Sequence, residues 1–246
     1  MTSGADAWKG EELVRKYLDG IRGAIPLASE QIDVLLRVVA SAGLRVARFA
    51  DLGCGGGALA QALLKRYPNA NATLVDFSEA MVDEARAALA PYGDQCVVAL
   101  SDLSDAAWLH VVESRAPFDV VVSGYAIHHL SDERKRALYG EVFELLAPGG
   151  FFVNIEHVAS PNEWLASVFD ELLIDSFYAH ESATGSGKDR EQVAREYVHR
   201  SDKQANILAP VEDQCAWLVD CGFVDVDCYF KLFELAVFGG RKLPSE

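Results

Sequence analysis

Three aspartates, Asp51, Asp76 and Asp102, stand at or just beyond the ends of short apolar stretches that have the composition of β-strands. If these strands run parallel, their carboxyl ends meet at the edge where open α/β sheets bind ligands. A carboxylate at the end of the second strand can accept hydrogen bonds from both hydroxyls of a ribose. A carboxylate beyond the third strand can accept one from the exocyclic amine of adenine. The series therefore predicts a site for an adenosine-containing ligand.

A glycine-rich turn, Gly53-Cys54-Gly55-Gly56-Gly57, follows the first strand and opens a helix. Glycines at such a turn let the backbone bend tightly and let a ligand approach it closely. The spacing Gly53-x-Gly55-x-x-Ala58 also fits the fingerprint of NAD and flavin sites, so the glycines alone do not choose a ligand. The carboxylate of Asp51 would repel a pyrophosphate and suits a cationic head, such as the ammonium and sulfonium groups of S-adenosylmethionine.

The elements that must position these residues alternate between strand and helix, which predicts a parallel sheet with helices on both faces. Pro148-Gly149-Gly150 is predicted to end the fourth of these helices before the fifth strand. The last two apolar stretches are separated by a link too short for a crossover, so they form a hairpin. In chain order, the sequence predicts a helix over 30–42, a strand over 45–51, a helix over 58–67, a strand over 72–76, a helix over 78–89 with Ser78 as its N-cap, strands over 96–100 and 118–123, a helix over 131–146 with Ser131 as its N-cap, a strand over 151–155, a helix over 211–220, and strands over 223–230 and 233–238.

We interpret residues 1–246 as a single domain with two additions that the sheet does not require. One is an N-terminal helical segment, 1–28, with a helix over 8–20. The other is an insertion, 161–210, with two helical stretches around Gly185-Ser186-Gly187. The insertion leaves the fifth strand at the end where ligands bind, so we predict that both additions cap the cleft and carry acceptor specificity.

Composition narrows the classes of partner and compartment. The chain has 22 Lys and Arg against 37 Asp and Glu, a net charge of −15 that disfavours nucleic acid and anionic membranes as partners. Its five cysteines form no CxxC pair and their number is odd, which favours reduced thiols in a cytoplasmic protein over a disulfide framework. No spacing of Cys and His suggests a metal site, and no apolar run has the length of a membrane span.

Taken together, the motifs resemble those of class I S-adenosylmethionine-dependent methyltransferases over about residues 30–158 and 211–241. The matching segments are ADLGCGGGALAQAL, LVDFSEAMVDEAR, SDL, FDVVVSGYAIHHL and LLAPGGFF. The resemblance implies a Rossmann-like α/β fold, a seven-stranded sheet in the order 3-2-1-4-5-7-6 with strand 7 antiparallel. It also implies S-adenosylmethionine as cofactor and S-adenosylhomocysteine as product. The cofactor contacts that we predict on this basis are Asp51, Gly53, Cys54, Gly55, Asp76, Phe77, Met81, Asp102, Leu103 and Ser123.

Candidate residues for catalysis follow the fourth and fifth strands, and candidates for acceptor binding lie after the fourth strand and in the insertion. Methyl transfer requires an aligned nucleophile and sometimes the removal of a proton, for which a histidine suits. The catalytic candidates are His128, His129, Glu156 and His157, although packing beneath the next helix is an alternative for the histidines. The candidates for binding a small-molecule acceptor are Tyr125, Tyr178, His180 and Arg200. The sequence leaves open whether the protein is a monomer or a homodimer.

Two other functions remain open at this stage. Residues 200–241 resemble the tail of carboxy-S-adenosylmethionine synthases, which modify the cofactor itself, and Arg200 or Lys203 could then hold the added carboxylate. An NAD-binding oxidoreductase or a non-catalytic nucleotide-binding module is the third possibility. Asp51 and the terminal hairpin argue against that third class.

Overall fold

A seven-stranded sheet organises the computed structural model, which describes residues 22–199 and 203–244. The helix predicted over 8–20 lies outside the described residues. The strands are β1 (Arg48–Leu52), β2 (Asn71–Asp76), β3 (Cys96–Leu100), β4 (Phe118–Gly124), β5 (Leu146–His157), β6 (Val224–Leu232) and β7 (Leu235–Arg241).

The strand order is β3-β2-β1-β4-β5-β7-β6, and β7 runs antiparallel to both of its neighbours. This confirms the predicted fold class and topology. The parallel register pairs Asp51 with Leu74 and Asp76 with Leu100, so β1, β2 and β3 end at the same edge of the sheet. That common edge brings together the residues that follow these strands.

Seven helices of at least nine residues surround the sheet within the described part of the chain. Ser131 caps α4 (Asp132–Leu145) as predicted, because its Oγ accepts a hydrogen bond from Arg134 N. Ser78 occupies the N-cap position of α3 (Glu79–Leu89), but its side chain makes no capping bond. The helices are α1 (Ala28–Ser41), α2 (Ala58–Arg66), α3 (Glu79–Leu89), α4 (Asp132–Leu145), α5 (Glu163–Thr184), α6 (Arg190–Val198) and α7 (Val211–Asp220).

The predicted turn at 148–150 lies inside a strand, which corrects the sequence-based boundary. β5 begins at Leu146, directly after α4, and pairs Leu146 with Phe118. The register then shifts, so that the next paired residues are Val120 and Phe151. The extra residues of β5, which include Gly149 with φ 81°, form a bulge near the start of the strand. With this bulge, β5 can begin directly after the end of α4.

Both faces of the sheet are buried, as expected of a sheet covered by helices on two sides. Val120 and Val122 of β4 pack with Leu35 of α1 and Leu63 of α2. Val121 points to the opposite face, where the core includes residues of α4 and α7. The alternation of β4 side chains thus fixes which residues face which layer of helices.

The insertion is helical, as predicted, and builds a third, smaller core. Phe169, Leu173 and Ile174 of α5 pack with Tyr197 of α6 and with Leu235 at the start of β7. α5 ends at Gly185, which adopts φ 76° as a left-handed cap, and Ser186 N donates to Glu181 O at 3.1 Å. The described helices include none long and apolar enough to cross a membrane.

The pairing of β5 and β7 predicts a sharp difference between two glycine substitutions. A Cβ at Gly239 would lie 2.0 Å from Phe152 O, whereas a Cβ at Gly140 in α4 would lie 3.9 Å from Cys221 Sγ. Gly239→Ala should therefore lower the free energy of unfolding by about 3 kcal/mol through overpacking. Gly140→Ala should leave it unchanged or raise it by up to about 1 kcal/mol, because alanine is the better helix former. Urea unfolding of both variants measures this, and equal effects would contradict the β5–β7 pairing.

Candidate active site

A cavity of about 570 Å³ lies beyond the carboxyl ends of β1 to β4. This volume is within the range of small-molecule sites, about 300–1,000 Å³. Nine of the ten residues predicted to contact the cofactor line it, and Ser123 is the exception. The loop after β4, the first turn of α4, and Ala205 and Ile207 near the end of the insertion complete the described walls.

The glycine turn owes its shape to close contacts on one side and open space on the other. Gly53 has φ 64°, and a Cβ there would lie 2.1 Å from the Cβ of Ala126, so no other residue fits. Gly55 has φ 51°, and a Cβ there would meet only Met81 Sδ, at 3.9 Å. The turn therefore packs tightly against the loop after β4 while its Gly55 side stays open to the cavity.

Asp76 joins the glycine turn to the second strand. Its Oδ2 accepts a hydrogen bond from Gly55 N at 2.8 Å, and its Oδ1 accepts one from Ser78 N at 2.9 Å. Burial raises the pKa of this carboxyl, and the backbone donors partly offset that effect. Each carboxylate oxygen can accept more than one hydrogen bond, so a fixed Asp76 can also receive both hydroxyls of a ribose.

Asp51 and Cys54 lie deeper in the same wall. Asp51 is buried, and its Oδ2 accepts a hydrogen bond from Ala60 N of α2 at 3.1 Å. Burial raises the pKa of the Cys54 thiol well above its ordinary value, and the charges of Asp51 and Asp76 raise it further. Cys54 is therefore a neutral thiol that contributes shape, because a nucleophile would have to be a thiolate.

The loop after β3 forms the wall opposite the glycine turn. Asp102 Oδ1 accepts a hydrogen bond from Ser104 N at 2.8 Å, which turns the loop back on itself. Leu103 is buried and also lines the cavity. Asp102 is exposed, so its Oδ2 is available to a ligand.

Arg134, in the first turn of α4, is a cavity-lining residue to which the sequence analysis assigned no role. Its guanidinium binds both oxygens of Glu141 at 2.7 Å and donates to the carbonyl of Leu103 at 2.7 Å. The sequence held one signal, because a cation in the first turn of a helix is unfavourable toward the helix dipole and therefore points to a tertiary partner.

Four of the residues predicted to bind the cofactor or the acceptor do not line the cavity or cannot be located. Ser123 is buried, and its Oγ donates to Leu52 O at 2.7 Å across the β1–β4 pairing. Tyr178 and His180 lie on α5 away from the cavity lining, and the His180 ring faces Gly23. Arg200 lies outside the described residues.

The catalytic candidates separate into one residue at the cavity and three behind it. His129 lines the cavity, as does Tyr125, whose hydroxyl donates to Gln31 Oε1 of α1 at 2.5 Å. Of His128, Glu156 and His157, none lines the cavity. His157 Nε2 instead lies 2.8 Å from Glu234 Oε2 in the β6–β7 turn.

His128 and Glu156 form a buried pair. His128 Nδ1 lies 2.5 Å from Glu156 Oε1, and the backbone amides of His128 and His157 donate to Glu156 at 3.1 and 2.8 Å. Complete burial alone would raise the pKa of Glu156, but the hydrogen bonds and charge of His128 outweigh it and the pKa is lowered. Glu156 is therefore ionised at neutral pH and holds the loop after β4 against β5.

This loop in turn carries the end of the insertion, residues 203–210, which we call the strap. Ile207 N donates to His128 O at 2.8 Å, and Ile207 O accepts a hydrogen bond from Lys135 Nζ, a lysine that is only 1% exposed. Farther along, Ala159 N donates to Ala209 O at 3.0 Å. Both backbone groups of Ile207 are thus fixed, and its side chain lies in the cavity wall.

The described residues contain no group of three His, Cys, Asp or Glu side chains arranged to hold a metal ion. The donors and acceptors at the cavity instead suit a nucleoside with a cationic substituent. Asp76 offers acceptors for the ribose, Asp102 offers acceptors for the adenine amine, and Asp51 offers a negative charge for the cationic group. A pyrophosphate would face these three acids, so the lining fits S-adenosylmethionine and not a dinucleotide.

Comparison with known sequences points to the same ligand family. Residues 49–150 match the sequence profile of a family described as a methyltransferase domain. The chain is also 29% identical over 230 residues to the carboxy-S-adenosyl-L-methionine synthase of Aeromonas hydrophila, an alignment that covers 91% of this chain and 85% of that protein.

Two solved structures share the fold. An O-methyltransferase family protein from Burkholderia thailandensis matches with a TM-score of 0.68 at 16% identity, over 99% of this chain and 64% of that one. Human N-acetylserotonin methyltransferase, solved in complex with S-adenosylmethionine, matches with a TM-score of 0.53 at 17% identity, over 95% of this chain and 59% of that one. The chain thus spans less than two-thirds of either structure's length, and at these identities the likeness establishes the fold alone. Residues 49–150 thus match a methyltransferase domain, and the strand order of the whole sheet is the one implied by the resemblance to class I S-adenosylmethionine-dependent methyltransferases.

Proposed function

We propose that this chain binds S-adenosylmethionine in the cavity beyond β1 to β4 and transfers its methyl group to a small-molecule acceptor in the cytoplasm. The observation that carries the proposal is the series of acids at consecutive strand ends, with Asp76 held ready by two backbone amides. The five free cysteines support a reducing compartment.

The chain's own contribution to such a reaction is alignment and exclusion of water. S-adenosylmethionine, when bound, supplies an electrophilic methyl carbon on a sulfonium that is already a good leaving group. The ribose would be held by Asp76, and the strap residues Ala205 and Ile207 would cover the cavity wall with apolar surface. Such a wall keeps water from the methyl group and holds an acceptor in line with it.

If the acceptor must lose a proton, His129 is the residue in place to receive it. It lines the cavity, whereas His128, Glu156 and His157 lie behind the wall and bond to one another or to Glu234. We therefore propose that the buried histidines and Glu156 act as positioning residues for the loop after β4 and for the strap.

A second candidate, formation of carboxy-S-adenosylmethionine, is favoured by the similarity to the Aeromonas synthase along 91% of the chain. Recognition of an added carboxylate requires a cation. Arg134 is the guanidinium among the described lining residues, and its donors bond to Glu141 and to loop carbonyls. Lys203 bonds to Asp170 and lies over the Tyr197 ring, and Arg200, the other cation considered for this role, lies outside the described residues.

The cofactor assignment predicts both a ligand preference and a pH profile. Calorimetry should detect binding of S-adenosylhomocysteine and no binding of NAD. Asp76→Asn should weaken S-adenosylhomocysteine at least about tenfold, because it removes charge-assisted hydrogen bonds to the ribose. Since burial raises the pKa of Asp76 above its ordinary value of 3.8, wild-type affinity should fall on acidification at a higher pH than an exposed aspartate would give.

In the Asp76→Asn variant this part of the profile should be flat. Binding of NAD alone, or full affinity in the folded variant, would contradict the proposal. Mass spectrometry of ligand released from the denatured protein separates the two chemistries. Carboxy-S-adenosylmethionine in that fraction would favour the second.

The positioning role of Glu156 predicts a loss of stability. Glu156→Gln removes the charge that His128 and two backbone amides bind, and should lower the free energy of unfolding by about 2–3 kcal/mol at pH 7. The folded-state pKa of Glu156 lies below its ordinary value of 4.5, so its stabilising contribution is complete above that value and is lost as pH falls through the lowered pKa. The difference between wild type and variant should therefore shrink under acid.

The matched control is His129→Gln, at the neighbouring position that lines the cavity. It should change the free energy of unfolding by less than about 1 kcal/mol. Urea unfolding at neutral and acidic pH measures both variants. A neutral effect of Glu156→Gln at pH 7 would remove the assigned role.

The hydrogen bond from Lys135 to the strap predicts that replacing this lysine makes the strap open more readily. Lys135→Met keeps the volume of the side chain but removes the donor to Ile207 O. Amide hydrogen exchange in a peptide covering 203–210 should become at least about tenfold faster, because freeing this segment costs less than global unfolding. Lys65→Met, on the surface of α2, is the control and should leave exchange in this peptide unchanged. Equal exchange in wild type and Lys135→Met would show that the lysine does not hold the strap.

A further inference from the structure

Arg134 donates hydrogen bonds from outside the loop after β3, residues 101–105, to two backbone carbonyls of that loop. Arg134 Nε donates to Leu103 O at 2.7 Å, and Nη2 donates to Asp105 O at 3.3 Å. These two carbonyls flank the cavity-lining Ser104, and Asp102 directly precedes them. A single planar group therefore spans the loop that we propose receives adenine.

The guanidinium itself has little freedom to move. Its two terminal nitrogens each lie 2.7 Å from an oxygen of Glu141, in the bidentate geometry that fixes the orientation of both groups. Glu141 Oε2 also accepts a hydrogen bond from Trp108 Nε1 at 2.6 Å, and Trp108 is completely buried. The chain of contacts thus runs from the core, through Glu141 and Arg134, to the loop.

Partial burial strengthens the ion pair between Arg134 and Glu141. The side chains of Arg134 and Glu141 are 13% and 16% exposed, so their attraction is screened less than that of a surface ion pair. The unfavourable place of a cation in the first turn of α4 means that local helix energetics do not explain the residue. What the arrangement does accomplish is to fix the distance between α4 and the carbonyls of the loop.

From these contacts, and on the basis of the proposed function, we infer that Arg134 is a positioning residue for adenine recognition. It holds the loop so that Asp102 Oδ2 and the side chain of Leu103 meet the edge and face of the base. Loss of Arg134 should therefore reduce the preference of the site for a base that carries the adenine amine, in addition to any general loss of affinity.

The experiment compares two ligands that differ only there. S-Adenosylhomocysteine carries the exocyclic amine, and its 6-deamino analogue, which has purine in place of adenine, carries a hydrogen instead and offers Asp102 no donor at that position. Calorimetry on the full chain should give wild type at least about a tenfold preference for the adenine form, the value of one charge-assisted hydrogen bond. Arg134→Met should reduce this preference to within about twofold, as should Asp102→Ala.

Two controls separate positioning from a general structural loss. Arg86→Met is the matched variant, because Arg86 also donates to a backbone carbonyl near β3, Val98 O at 3.1 Å, but does not line the cavity. It should keep the wild-type preference. Should Arg134→Met not fold, Glu141→Gln tests the same network through the partner of the guanidinium, and it should also reduce the preference.

The double variant Arg134→Met/Asp102→Ala should show the same preference between the two ligands as Asp102→Ala alone, to within about twofold, because both changes remove the same discriminating interaction. A folded Arg134→Met or Glu141→Gln that keeps the wild-type preference would overturn the inference while leaving the proposed function intact. Failure of wild type to bind S-adenosylhomocysteine at all would overturn both.

Discussion

The two backbone hydrogen bonds that Asp76 accepts are the interaction on which the site depends. One bond, from Gly55 N, fixes the glycine turn, and the other, from Ser78 N, fixes the start of α3. The turn could not take this shape with another residue at Gly53, because a Cβ there would lie 2.1 Å from the Cβ of Ala126. A buried carboxylate is costly unless it is bonded in this way, and the same bonds that compensate its burial also aim it at the cavity.

Buried charged side chains also hold the loop after β4 and the strap in place. Glu156 binds His128 and the loop after β4, and Lys135 binds the carbonyl of Ile207 in the strap. Removing one member of such a pair leaves the other unsatisfied in the interior, so these groups fix the position of the strap strongly. Under the proposed function, the turns that follow β1 to β3 hold the cofactor, and the strap at the end of the insertion supplies part of the acceptor side.

Sequence reasoning reached the fold and the cofactor side because both depend on short-range patterns. Alternating strands and helices imply a parallel sheet, and a parallel sheet brings Asp51 and Asp76 to one edge whatever the details of packing. The position of the Ser123 side chain was not predicted, because the direction of a strand side chain depends on register. Ser123 pairs with Leu52 of β1, and its Oγ bonds to the Leu52 carbonyl instead of lining the cavity. The sequence predicted that the fifth strand begins at residue 151, but β5 begins at Leu146 and contains a bulge. No local sequence pattern indicated this bulge.

The residues predicted to bind the acceptor, and the cavity-lining residues that the sequence analysis did not single out, were harder to place because their positions depend on tertiary contacts. Tyr178 and His180 lie on a helix whose apolar face covers β7 and not the cavity, which the helical spacing alone does not reveal. Arg134 and Ile207 are held at the cavity by partners distant in sequence, Leu103 for the arginine and Lys135 and His128 for the isoleucine. Their chemistry is ordinary, so only the fold shows that they line the site.

A crystal structure of the full chain with S-adenosylhomocysteine tests the central claim most directly. The account predicts the ribose hydroxyls on Asp76, the adenine amine on Asp102 Oδ2, and the sulfur facing the wall that includes His129 and Ile207. A nucleoside bound away from Asp76, or a sulfur that faces no residue of the strap or the loop after β4, would contradict it.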